Sequence, residues 1–355
     1  MPIQTTTIGA YPKPDYVPIP DWFQEESTTI KDPTKAYDNC STCQGPEADE
    51  LLDRATREVV LDQVRIGIDV PSDGEVRREN YIHYHCRHME GIDFEHLTRK
   101  SMRDGQWVVD VPTIAAPVKA GSGFLVRDWR VAQAATEQPV KITLPGPLTI
   151  IDSTFNAFYD DERKLAADLA AAINVEVRKL AQAGCRWIQV DEPIFAREPD
   201  NALAFGIENI ERCFHGVPAS VNRTIHICCG YPDRLDSDGY EKAPTENYFR
   251  LAPALDEAAL DVVSIEDAHR PTDLSLLEAA NALRSGDTSS RELTQACLKR
   301  IAALEPEIHA YLALTPDLAL DQADQADQAL VEWRKNSGSS LPITWGIPMA
   351  VKDVL

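Results

Sequence analysis

The chain has 355 residues, with 57 acidic and 35 basic side chains and a formal net charge of −22. That length suits one barrel-sized domain, alone or with an added fragment, and 43% hydrophobic against 26% charged residues excludes wholesale disorder. The acidity argues against a nucleic-acid or anionic-membrane surface, and no apolar run approaches the ~20 residues of a membrane span.

Short β-rich runs alternate with longer helical patterns up to about residue 273. Residues 5–9 read as a strand opening into a Pro-rich loop at 11–20. Residues 47–66 carry Leu51, Leu52, Ala55, Val59 and Val60 at helical spacing. Around Gly67 the helix gives way to a strand over about 66–72, which runs into Asp73-Gly74-Glu75. Residues 108–118 read as a β excursion, and 140–144 as a strand stopped by Pro145-Gly146-Pro147. A helix is predicted over 161–183, with Gly184 where a C-terminal glycine belongs. Further strands are predicted at 186–190, 224–228 and 261–265, ending near Asp191-Glu192-Pro193, Cys228 and Glu266. This rhythm is that of parallel βα units, and polar residues collect at the C-terminal strand ends. The predicted fold class is therefore α/β: a (β/α)₈ TIM-barrel-like domain over 1–273, lacking its last two strands, followed by a mostly helical fragment over 274–355. Helices are expected at 274–283, 291–303 and 317–334, and the chain ends in an apolar run, as if cut mid-domain.

The N-terminus has neither a basic region nor an apolar stretch, so no signal peptide is predicted and the expected location is cytoplasmic. Eight cysteines are too few for a disulfide scaffold at this length. His226-Ile227-Cys228 is the sharpest local signal, because residues two apart in a strand face the same side and can grip one ion. A buried core histidine beside a structural cysteine is the competing interpretation. Cys229 faces the other way and reads as packing. With Glu266 at the end of the next strand, the donor types His, Cys and Glu suit zinc. Zinc with an open position can hold a substrate thiol as thiolate, or activate water for hydrolysis. Asp73-Gly74-Glu75 and Asp191-Glu192 could clamp a substrate ammonium, or cap the helices that follow. His83, His85, Cys86 and His88 read as a half-exposed helix or loop, and Cys40 with Cys43 as a weak metal-knuckle spacing.

Six motifs occur in order: Thr6-Thr7-Ile8-Gly9-Ala10-Tyr11-Pro12, Asp73-Gly74-Glu75-Val76-Arg77-Arg78, Leu144-Pro145-Gly146-Pro147-Leu148-Thr149, Gln189-Val190-Asp191-Glu192-Pro193, Ile225-His226-Ile227-Cys228 and Val263-Ser264-Ile265-Glu266. Together, over roughly residues 3–276, they resemble the C-terminal catalytic barrel of cobalamin-independent methionine synthases. The resemblance implies a zinc-dependent methyltransferase that methylates the thiol of homocysteine to give methionine. It implies His226, Cys228 and Glu266 as metal ligands, and Ile8, Gly9, Ala10, Glu75 and Asp191 as substrate-binding residues. The partners it implies are a homocysteine-like thiol and a methyl donor; the departures below leave methyltetrahydrofolate and a methyl-corrinoid both open as that donor, and a homo-oligomer, with a second copy closing the barrel, is also open. The sequence departs from the family in three places. No Pro-Asp-Cys-Gly motif supplies a fourth ligand after Glu266, the seventh-strand histidine is missing, and Ser153 falls where long synthases place a folate-stacking tryptophan. The expectation is homocysteine binding with little methionine synthesis.

The tail resembles a different family. Leu274-Ser275-Leu276-Leu277-Glu278-Ala279-Ala280, Ser289-Ser290-Arg291-Glu292-Leu293-Thr294 and Gly346-Ile347-Pro348-Met349-Ala350-Val351-Lys352-Asp353 look like the N-terminus of an amidase signature enzyme. Lys352 matches that family's catalytic lysine, while the segment carrying its serines is absent. The expectation is a chimera joined near 273–278; the alternatives to the methyltransferase are an amidase fragment and a non-catalytic fusion product.

Overall fold

Among the described residues the first helix is α1, Pro46–Arg65, with proline in its first turn, Glu47 and Asp49 beside it and Arg65 in the last turn. Proline suits the first helical position, and these charges suit the two ends of the helix dipole. Its inner face, with Leu52, Ala55 and Val59, packs with Val17, Ile19 and Val76 as a small satellite core. This computed structural model describes residues 4–19, 45–102, 107–229, 242–266, 274–308, 314–335 and 345–348. Cys40, Cys43, the 273 end of the proposed junction and Lys352 lie outside the described residues. The chain forms two compact units, Met1–Glu266 and Asp267–Leu355.

In the first unit, α1 is followed by a single turn, α2 (His83–Cys86), and an antiparallel hairpin, β1 (Met89–Met102) with β2 (Trp107–Ala120). Helix α3 (Leu125–Gln133) leads to β3 (Lys141–Pro145), the short helix α4 (Pro147–Asp152) and β4 (Phe155–Asn156), which pairs with β2. The long helix α5 (Glu162–Ala183) leads to β5 (Trp187–Asp191). Short helical turns then precede α6 (Ile207–Cys213), β6 (Asn222–Ile227), α7 (Thr245–Glu257) and β7 (Val262–Ile265). The last sheet is all parallel, in the order β3-β5-β6-β7. Two single parallel bridges, Ser72 to Lys141 and Thr6 to Val70, extend that order toward the N-terminus. The expected strands at 5–9 and 66–72 are thus reduced to single bridges.

Sequence explains the best-formed pieces. Helix α5 starts where Asp161 accepts a hydrogen bond from Arg163 N at 3.0 Å and stops at Gly184, whose φ of 107° is left-handed. Its Leu165, Leu169, Ile173 and Val177 share one core with Ile142, Leu144, Ile188, Val190 and Ile225 of the sheet. All five residues of β3 are buried, as expected for a strand covered on both faces. Helix α4 has six residues and is held by side chains at both ends. Glu192 accepts from Leu148 N (2.9 Å), Thr149 N (3.0 Å) and Thr149 Oγ1 (2.8 Å) at its start. Lys100 Nζ donates to the carbonyls of Ile151, Asp152 and Thr154 at 3.1, 2.6 and 3.0 Å at its end.

The His83–His88 segment corrects the sequence expectation. It is not half-exposed: His83, His85 and Cys86 are buried, with Phe94 of the hairpin edge-on to His83 and Phe124 stacked on His88. Hairpin β1–β2, whose first strand is charge-rich, covers the turn. His83 Nε2 meets Ser153 O at 3.2 Å, and His85 Nδ1 meets Tyr81 O at 2.7 Å. Burial pushes the His83 imidazole down to about 4. Its folded value lies below the ~6.5 of an unfolded histidine, so unfolding takes up a proton between these two values. Stability from this group is therefore complete above about pH 6.5 and is lost as pH falls toward 4. An NMR titration of the His83 ring should show it neutral at pH 6; a midpoint near 6.5 would contradict this.

The second unit contains α8 (Leu274–Ser285), α9 (Ser290–Ile308) and α10 (Pro316–Lys335), in the three stretches read as helical. Asp327 accepts from Ser290 N at 2.6 Å, and Leu330 is buried. Among the described residues no helix is long and apolar enough to cross a membrane.

Candidate active site

Parallel pairing stacks the strand residues in layers on one face. Thr143, Gln189 and Thr224 are in register, and above them Pro145, Asp191, His226 and Ser264. The C-terminal ends of β3, β5, β6 and β7 thus bring Asp191 and His226 to neighbouring positions.

The N-terminal segment lies against this face. Ser72 Oγ donates to Gly9 O at 2.6 Å, Gln189 Nε2 to Ile8 O at 2.8 Å, and Lys141 Nζ to Thr7 O. Tyr11 N donates to Gly74 O at 3.2 Å. Gly9 is in close contact with Glu75: a Cβ there would meet Glu75 Oε1 at 2.5 Å. Ile8 and Ala10, on either side, are exposed.

Glu75 stands in an unusual backbone. Gly74 (φ 67°) and Glu75 (φ 54°) are both left-handed, and Glu75 is the only non-glycine with positive φ among the described residues. Such strain persists where the surroundings over-determine it, commonly at functional sites. Ser72 Oγ accepts from Gly74 N and Asp73 Oδ1 from Glu75 N, each at 3.2 Å, fixing the turn. The Glu75 carboxylate accepts from Thr143 Oγ1 at 2.6 Å and faces Arg78 at 3.2 Å. Arg78 also pairs with Asp73 at 3.2 Å. Asp191 Oδ1 accepts from Gln189 Nε2 at 2.7 Å. Burial first, and the Glu75 charge second, push the Asp191 carboxyl upward. Ile8, Gly9, Glu75 and Asp191 are thereby tied together through Ser72, Thr143 and Gln189.

Glu192 does not share this role with Asp191. It turns away to hold the start of α4, so its capping serves the helix after β3 rather than the one that follows it in sequence.

On the other side of Asp191 are the expected metal ligands. His226 Nδ1 meets Ser264 Oγ at 2.9 Å. Burial pushes this imidazole down to about 4, so it is neutral at pH 7, the form that binds metals. Cys228 is half-buried just past the end of β6. Glu266 pairs with Lys242 and accepts from Cys229 N at 3.1 Å and Cys229 Sγ at 3.3 Å. Burial raises the Glu266 carboxyl, but these partners outweigh it and hold it below the usual range.

Cys229 is therefore not mere packing: strand alternation stops applying once β6 ends at Ile227, and the chain turns its thiol onto Glu266. Among the described residues no three His, Cys, Asp or Glu side chains converge as a metal site, Glu266 being taken up by Lys242 and Cys229. The donor types of His226, Cys228 and Glu266 nonetheless suit zinc, and with Nδ1 on Ser264 the His226 ring has Nε2 to offer.

Lys141, Gln189, Arg78 and Thr143 were missed by sequence reasoning. The available signal was a lysine and a glutamine inside buried strands.

A sequence profile of the family described as "Cobalamin-independent synthase, Catalytic domain" matches residues 3–287. Among curated proteins, a methionine synthase of Saccharolobus solfataricus is 30% identical over 230 residues, 64% of this chain and 63% of that protein. A methionine synthase of Sulfolobus acidocaldarius is 29% identical over 265 residues, 74% of this chain and 67% of that protein. The chain thus spans about two thirds of the length of these relatives. A solved B12-independent methionine synthase from Shewanella sp. W3-18-1, in complex with selenomethionine, is 30% identical with a TM-score of 0.61. That likeness covers 77% of this chain and 76% of the other.

Proposed function

Because this chain belongs to the family of cobalamin-independent synthase catalytic domains, we propose that it transfers a methyl group to the thiol of homocysteine, giving methionine. The observation that carries this proposal is the buried charge at the strand ends. Asp73, Glu75 and Asp191 are three carboxylates facing two cations, Arg78 and Lys141, all five largely buried. One carboxyl group is thus without a matching cation, burial keeps a proton on Asp191, and the α-ammonium group of an amino acid would match its ionised form. Relatives named methionine synthase, and a solved relative in complex with selenomethionine, support an amino acid with a sulfur-type side chain as the ligand.

In this reading Asp191 and Glu75 receive the ammonium group, and the 8–10 segment closes over the amino-acid end of the substrate. An arriving ammonium favours the ionised form of Asp191, so binding releases the proton that burial had retained there. The thiol end extends toward His226, Cys228 and Glu266, which we propose as zinc ligands. Zinc, when bound, supplies a Lewis acid that keeps the substrate thiol deprotonated at neutral pH. Glu266 must exchange Lys242 and Cys229 for the metal, and His226 keeps its ring fixed on Ser264. Methyltetrahydrofolate and a methyl-corrinoid are the two donor classes compatible with this acceptor.

The family match runs to residue 287, across the 274–280 segment that resembles amidases, and this favours the methyltransferase reading there. Calorimetric titration of the zinc-supplemented chain with homocysteine is the test. One saturable site per chain is expected, and no saturable binding would overturn the proposal. Adding either donor to that complex then shows which one yields methionine.

A further inference from the structure

Lys141 is among the largest fully buried side chains, at 1% exposure, and it opens a strand whose other residues are Ile142, Thr143, Leu144 and Pro145. Taking an ammonium group out of water costs several kcal/mol unless its partners are well placed, and sheet packing alone would accept a methionine here. Its partners are the Thr7 carbonyl and Gln189 Oε1, the latter at 2.7 Å. An ammonium group only donates, so it requires the oxygen of the Gln189 amide. The amide nitrogen is then turned the other way, where it reaches Ile8 O at 2.8 Å and Asp191 Oδ1 at 2.7 Å. Flipping the amide would set NH₂ against NH₃⁺ and oxygen against two acceptors, so this orientation is the one the partners allow.

We propose that Lys141 and Gln189 are positioning residues that set recognition of the substrate's α-amino group: Lys141 fixes the Gln189 amide, and the amide fixes both Asp191 and the Ile8 backbone. Neither residue touches the substrate. One Asp191 oxygen is held by Gln189, which leaves the other to accept from an ammonium group. The same two residues anchor Thr7 and Ile8, so the segment and the carboxylate are set by one amide. Burial pushes the Lys141 ammonium down, opposed by the charges of Asp191 and Glu75, in keeping with a cation retained for those carboxylates.

The inference rests on the homocysteine reading above. Its test compares homocysteine with 4-mercaptobutanoate, the same molecule without the α-amino group, as ligands of the zinc-supplemented chain. Wild-type chain is expected to prefer homocysteine. Lys141→Met frees the amide to rotate. Gln189→Glu keeps shape and the Lys141 contact but turns a second oxygen toward Ile8 O and Asp191. Each variant should reduce the preference by about 10-fold or more, as expected for losing a well-placed hydrogen bond to a charged group, while 4-mercaptobutanoate affinity stays within about twofold. Equal losses for both compounds would mark a purely structural role and overturn the inference, as would an unchanged preference in Gln189→Glu. Wild-type chain that binds neither compound would instead overturn the homocysteine reading, and this inference with it.

Discussion

Asp191→Asn is expected to weaken homocysteine binding by about 100-fold while leaving the fold intact. The substitution keeps size and keeps an Oδ1 that can accept from Gln189 Nε2, the 2.7 Å contact that sets the side chain. What it removes is charge. A hydrogen bond to a charged group contributes about 1.5–3 kcal/mol, and removing one partner of a buried charge pair costs about 3–5 kcal/mol, so a 100-fold loss falls in the lower part of that range. Without ligand the change should not destabilise the chain, because Asp191 is buried beside Glu75 and both burial and that charge already oppose its ionisation. Calorimetric titration and urea unfolding of the two proteins separate the effects. Unchanged homocysteine affinity would remove Asp191 from the site.

Gly74→Ala should be the more damaging backbone change, with a loss of about 3 kcal/mol in unfolding free energy. Gly74 has φ 67°, and a Cβ there would lie inside the contact distance of Val59 Cγ1 and 3.3 Å from Tyr11 Cβ. Left-handed strain accounts for about 1 kcal/mol, and overpacking adds about 1–3 kcal/mol. Gly216 supplies the control: its φ is 71°, but nothing lies within 4 Å of its added Cβ. Gly216→Ala should therefore cost only the strain, about 1 kcal/mol. Urea unfolding of both variants checks the difference, and equal losses would show that Val59 gives way. Homocysteine affinity should fall in Gly74→Ala as well, because the same turn places Glu75 and accepts from Tyr11 N.

The strand ends were legible because parallel strands buried on both faces leave short apolar runs with polar residues after them. Residues 140–144, 186–190, 224–228 and 261–265 appear as Lys141–Pro145, Trp187–Asp191, Asn222–Ile227 and Val262–Ile265. Helix α5 was equally plain from Asp161 and Gly184. Strand β1 was not, because Met89–Met102 mixes charges into its apolar positions and breaks register with β2 between Glu90 and Ile92 and again between Asp93 and Thr98. The roles of Asp191 and Glu192 could not be separated from spacing alone. The outcome depends on which backbone amides come near, and α4 supplied them from 44 residues away. Cys229 is buried in the core as packing requires, and its thiol also reaches Glu266 because alternation describes a strand and this one ends two residues earlier. The Lys141–Gln189 contact spans 48 residues and has no local pattern.

The side chains at the two ends of α4 bear on the order in which the chain can acquire its structure. Six residues are too few to hold a helix in water by themselves. The carboxyl group at its start comes from Glu192, made 44 residues after Leu148, and the ammonium at its end comes from Lys100, made 51 residues before Ile151. During synthesis, α4 therefore gains its stability only after β5 has emerged and laid Glu192 beside it, with the hairpin already in place to deliver Lys100. That segment therefore settles after β5 rather than as it is made, and its closing loops are long enough to slow it.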